Sequence, residues 1–151
     1  MIELRNSQKS LSIEEPSVTT LCRFVLEEAG FAACDLSVSL VEDSEIVRLN
    51  DRYFGKKGPT DVISFPMEEK AKDGMLLGDV VVCVPQAVRA ADERGLPVEE
   101  EISLYLIHGI LHLLGQRDHA PAERRRMEKR QQAILEMARD NEKLVVTVDS
   151  R

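Results

Sequence analysis

The chain has 151 residues and a mass of 17.0 kDa, a length at which one hydrophobic core and one domain, 1–151, are expected. Its residues are 43% hydrophobic and 31% charged, and no apolar run nears the roughly 20 residues of a membrane span, which excludes a disordered tail and an integral membrane protein. Twenty Lys and Arg against 27 Asp and Glu give a net charge of -7, arguing against general electrostatic adhesion to nucleic acid or anionic lipid. Any basic contact must be a local strip.

Ile2 to Arg5 reads as a short opening strand. Pro16 then occupies a first-turn helical position ahead of Val18, Leu21, Cys22, Val25, Leu26 and Ala29, an amphipathic spacing stopped by Gly30. Leu36, Val38 and Leu40 alternate with Ser37 and Ser39, predicting a strand with one polar face. Asp43 is the expected cap of a helix carrying Ile46, Val47, Leu49 and Tyr53. Gly55 to Thr60 is a loop. Val62 to Phe65 and Leu76 to Val84 read as strands, the second buried on both faces, joined by a charged turn at Glu68 to Gly74. A helix from Pro85 to about Arg94 ends at Gly95, and Pro97 opens the next.

That next helix is apolar all round from Ile102 to Leu114, the mark of a central buried helix. Gly115 ends it, Gln116 to His119 form a loop, and Pro121 starts a long charged helix to about Asn141. Residues 143–151 are expected to fray, with a short extra strand at Leu144 to Val148 as the alternative. Together these elements predict an α+β fold: a small central mixed sheet flanked by helices, with a buried central helix.

The odd count of three cysteines, Cys22, Cys34 and Cys83, without a C-x-x-C pair, favours buried thiols in a reducing compartment over a disulfide framework. Met1 to Ser10 lacks the apolar stretch of a signal peptide. A cytoplasmic protein is the expectation.

The chain has three histidines, and all fall in one short window: His108, His112 and His119. The first two are four residues apart on a helix, so they share one face about a turn apart. Two imidazoles on a buried apolar helix need two separate hydrogen-bond partners or one shared cation. His119 returns from the exit loop, and three neutral imidazoles with an open fourth position are the usual catalytic zinc arrangement, in which bound water is activated near pH 7. Asp118, beside the third histidine, is placed to orient a ligand, to substitute as an oxygen ligand, or simply to cap the last helix. The H-E-x-x-H signature of zinc proteases has its general-base Glu directly after the first His, and here that place holds Gly109. A bare Gly109 is expected to leave room for a bulky substrate beside the metal.

On these residues the chain resembles the YbeY-type single-strand-specific endoribonucleases, also called rRNA maturation factors. The matching segments are LNDRYFGKKGPTDVISFP from Leu49 to Pro66, LGDVVV from Leu77 to Val82, and HGILHLLGQRDH from His108 to His119. The resemblance implies one zinc ion per chain on His108, His112 and His119, cleavage of single-stranded rRNA, and a place in small-subunit maturation in contact with the small ribosomal subunit or a ribosomal protein. It implies no membrane partner. Thr60, Asp61 and Ser64 fall in the PTDVISF match as cleft-lining candidates, although loop and strand-edge hydrogen bonds explain them as well.

Two departures from the family pattern stand out. The family motif H-G-x-L-H-L-x-G-x-D-H places its third histidine one residue earlier than His119, so a residue has been added between Gly115 and Asp118. Phe54 stands where many members carry Arg; phosphate contacts then fall to Lys56 and Lys57 or to Arg52, and Phe54 is suited to stack on a base. Arg124, Arg125, Arg126, Lys129 and Arg130 form a basic run on the last helix, either a solvated face paired with Glu123 and Glu128 or an RNA-backbone strip.

The chemistry stays open between an activated water and attack by the RNA's own 2'-OH. Two other readings compete with the endoribonuclease: a zinc metalloprotease-like hydrolase, which lacks its Glu, and a non-catalytic ribosome-assembly factor with structural zinc.

Overall fold

The computed structural model describes residues 1–67 and 75–148; the expected turn at Glu68 to Gly74 lies outside the described residues. Among the described residues four strands form one mixed sheet in the order β1-β2-β4-β3. They are β1 (Ile2–Asn6), β2 (Asp35–Val41), β3 (Val62–Pro66) and β4 (Leu76–Cys83). β1, β2 and β4 run parallel, and β3 pairs antiparallel with β4 at the edge.

Among the described residues five helices surround it: α1 (Glu15–Ala29), α2 (Asp43–Phe54), α3 (Val84–Arg94), α4 (Val98–Leu113) and α5 (Pro121–Asp140). The alternation in β2 has the expected effect: Leu36, Val38 and Leu40 are buried in the main core with residues of α1, α4 and α5, while Ser37 and Ser39 line a groove on the opposite face. There α2 adds a smaller cluster, in which Ile46 packs on Val41, Ile63, Val81 and Cys83. From Val80 to Cys83, β4 is therefore buried on both faces.

α4 crosses the sheet at β3 and β4 with α1, α3 and α5 packed around it, which is why its sequence has no wide polar face. It closes with a Schellman exit: Gly115, at φ 95°, donates to the His112 carbonyl and Gln116 to that of Leu111, both at 3.0 Å.

Two expectations are corrected. Asp43 does not cap α2; Glu42 is the cap residue, and the Asp43 carboxylate instead takes Arg89 at 2.8 and 2.9 Å and the Cys83 thiol at 3.3 Å. This ties α2 to α3 and the end of β4.

The segment Leu144 to Val148 does not fray. Val145 is buried, its N–H donates to Ser103 Oγ at 3.0 Å and that of Val146 to Ser17 Oγ at 2.9 Å, and Thr147 bridges Ile13. Two helical serines share the task with the backbone of Ser12 to Glu14, where Val148 N–H donates to the Ser12 carbonyl at 2.7 Å and Glu14 N–H to the Val146 carbonyl at 2.9 Å, so the short-strand alternative is met by an isolated bridge. Residues 149–151 lie outside the described residues. Among the described residues no helix is long and apolar enough to cross a membrane.

Candidate metal centre and cleft

His108 and His112 sit one turn apart on α4 with ring centroids 4.5 Å apart. His112 Nε2 lies 3.3 Å from Asp118 Oδ2. Ligand atoms of His108, His112 and Asp118 fall within 4.8 Å of one another, the one group of this kind among the described residues. His119, exposed in the same turn, is not in that group, although its charge acts on His112. Counting ten residues from His108, as the family motif does, reaches Asp118, and the exit turn at Gly115 brings that residue back to the helix face.

The imidazoles are prepared for a cation. His108 Nδ1 pairs with the side-chain oxygen of Gln131 on α5; because that oxygen only accepts, Nδ1 is the donor of this bond and Nε2 is the ring nitrogen left available to a cation. His112 is held below the ordinary histidine range first by burial and then by the His108 and His119 charges, against the pull of Asp118.

These donors line a cavity of about 420 Å³ together with Asn50, Phe54, Lys56, Thr60 and Ser64. Lys57 and Asp61, also singled out in the sequence, do not line it. The Asp61 carboxylate is occupied locally by the Val62 N–H at 2.7 Å. Ser64 reaches the cavity, but its hydroxyl donates to the Gly109 carbonyl at 2.8 Å, a bond that pins β3 to α4. Asp118 does not cap α5, where the cap residue is Ala120 and the Glu123 carboxylate takes the Ala120 N–H at 2.9 Å.

Gly109 has a different role from the one expected. A Cβ there would lie 2.6 Å from Val80 Cγ1, 3.1 Å from Val62 Cγ2 and 3.2 Å from Ser64 Oγ. The missing side chain admits the sheet, not a substrate. A glutamate at this place, the general base of H-E-x-x-H proteases, cannot be accommodated without moving β4 away from the helix.

Two polar residues escape the sequence reading. Gln131 and Asn50 are buried at 8% and 7% exposure, and each falls on the apolar stripe of its helix, four residues after Met127 and Ile46 respectively. A polar residue at a core-facing position is the available signal. Asn50 Nδ2 donates to the Gly58 carbonyl at 3.1 Å and so holds the loop that carries Lys56.

The family model described as Endoribonuclease YbeY matches residues 3–139. A protein of that name from Persephonella marina is 44% identical over 115 residues, covering 75% of this chain and 74% of its own. Another from Moorella thermoacetica is 39% identical over 146 residues, covering 87% and 93%. A solution structure from Thermotoga maritima superposes with a TM-score of 0.62 at 26% identity, covering 95% of each chain.

Proposed function

The chain belongs to the YbeY endoribonuclease family, and on that premise we propose that it is a zinc-dependent, single-strand-specific endoribonuclease acting on ribosomal RNA during small-subunit maturation. The observation that carries the reading is the joining of a donor cluster to an open cleft: His108, His112 and Asp118 share one cavity with Lys56.

Two imidazoles and a carboxylate suit zinc, and the Gln131 contact that fixes one ring is the kind of outer partner such sites use. A bound zinc would supply Lewis acidity at the scissile phosphate. The chain's own residues do the rest. Lys56 offers charge to the RNA backbone, while the Ser64 bond to Gly109 and the Asn50 bond to Gly58 hold the two cleft walls in place.

His108 and His112 supply two ligands, and the Asp118–His119 turn supplies the third. Asp118 is favoured by its 3.3 Å approach to His112, His119 by the resemblance. Substituting each in turn and measuring zinc content decides between them: the true ligand loses zinc as Asn or Ala, and its neighbour does not.

With a net charge of -7, RNA contact is local, so we assign a protein of the small ribosomal subunit, in the cytoplasm, the task of delivering the substrate. The test of substrate class is direct. A single-stranded oligoribonucleotide is cut, the same sequence in a duplex is spared, and a chelator stops the reaction; equal cutting of both forms contradicts single-strand specificity.

A further inference from the structure

Phe54 is the last residue of α2 and 50% exposed, and it lines the cavity that holds His108, His112 and Asp118. It does not stand alone. Phe65 of β3 stacks with it, centroids 6.1 Å and planes 28° apart, and Tyr53, 55% exposed, meets Phe65 edge-on at 5.1 Å. The Arg52 guanidinium lies 5.4 Å from the centre of the Tyr53 ring. Gly55, at φ 62°, turns the chain directly after Phe54 and leads to Lys56, which lines the same cavity. An aromatic face and a cation are thus set side by side at the mouth of the metal cleft.

We infer that Phe54, backed by Phe65, is a base-stacking platform that holds a nucleotide of single-stranded RNA at the cleft, with Lys56 serving that strand's phosphates. The inference rests on the endoribonuclease reading and deepens it. Every base has a π-face, so such a platform accepts any sequence. It also requires an unstacked base, which a duplex withholds, so selection of single strands follows from the ring itself. Phe54 shares the metal cavity with Lys56 and the metal donors, while Tyr53 and Phe65 line the adjoining groove with Ser37 and Ser39; a cation and metal donors beside the exposed Phe54 ring favour RNA over an apolar protein partner, which would have no use for either.

The chain contains no tryptophan, so Phe54→Trp installs a single reporter on the exposed end of α2. With the full-length protein as purified, its fluorescence is read within the first turnover on adding a single-stranded oligoribonucleotide or the corresponding duplex. The expected result is quenching by the single strand only. In steady state, Phe54→Ala raises KM about tenfold with kcat nearly unchanged, the loss of one stacking contact in uniform binding, and Phe54→Tyr restores it. An unquenched signal from the introduced tryptophan, or a KM indifferent to the side chain at this position, overturns the platform even if RNA is still cut. The same indifference accompanied by lost binding of a small-subunit protein also overturns it and gives the patch to that partner. Quenching without any cutting leaves the platform standing and removes the nuclease reading.

Discussion

Gln131 and His108 meet across the α4–α5 contact, the glutamine oxygen accepting a hydrogen bond from Nδ1 of the imidazole that lines the metal cleft. Fixing one ring nitrogen settles which nitrogen is free for a cation. Gln131→Leu, a near-isosteric change at a buried position, is expected to keep the fold and lower zinc affinity by about 10- to 100-fold. Competition with a coloured chelator measures it. Unchanged affinity would mean that the contact only satisfies a buried amide.

Gly109→Ala is expected to destabilise the protein by about 1–3 kcal/mol, the usual range for overpacking a filled core, because its Cβ would meet Val80 Cγ1 at 2.6 Å. Val80→Ala in the same chain should recover part of that loss by removing the colliding methyl groups. Urea denaturation of the single and double variants is the check. A Gly109→Ala protein as stable as wild type but poorly active would return the glycine to the substrate-clearance role that the structure replaces.

The sheet, its flanking helices and the histidine pair are legible in the sequence because each is written in a period: alternation in β2, three- and four-residue spacing in α1, and an all-round apolar α4. Contacts between distant segments are not. Nothing local in Ser103 or Ser17 announces that each accepts an N–H from the C-terminal segment, so the stretch around Val145 reads as a frayed end. The distance from Gly109 to Val80 exists only after folding, so a bare glycine beside a histidine suggests clearance for a substrate. Gln131 and Asn50 are detectable in principle, since each breaks an apolar stripe, but only the fold names their partners. Counting from His108 reaches Asp118 as readily as His119, and the turn after Gly115 brings Asp118 to the cluster.

Charge at the cleft should matter more than charge on α5. Lys56 lines the metal cavity. Arg125 and Lys129 line a shallow groove with Gln132 and Glu136, on the side of α5 turned away from Gln131 by the 3.6-residue period. The α5 run is exposed and among the described residues makes no ion pair, so the expected pairing with Glu123 and Glu128 is not found. Lys56→Glu is expected to weaken single-stranded RNA binding and reduce the magnitude of its salt slope by about 1, whereas Arg125→Glu with Lys129→Glu changes neither appreciably. Filter binding across a salt series separates the two, and the opposite ranking would move the RNA path onto α5.

The thiols should be silent in the folded protein. Burial pushes Cys22 up to about 12. It does the same for Cys83, up to about 12, with the Asp43 carboxylate adding to it, and Cys34 is buried as well. At pH 8 a thiolate-selective reagent should therefore react negligibly with native protein and with all three cysteines after guanidinium unfolding. Rapid native labelling would place one of these thiols at the surface.

The proposed function stands or falls on whether the paired histidines of α4 hold a metal that RNA cleavage requires. The decisive experiment measures zinc content and cleavage of a single-stranded RNA for wild type and His112→Ala, with circular dichroism to verify the fold. About one zinc per wild-type chain and chelator-sensitive cutting are expected, with both lost in a His112→Ala protein that remains folded. Cleavage that survives in His112→Ala, or a variant that unfolds while wild type binds zinc but never cuts RNA, would contradict the proposal.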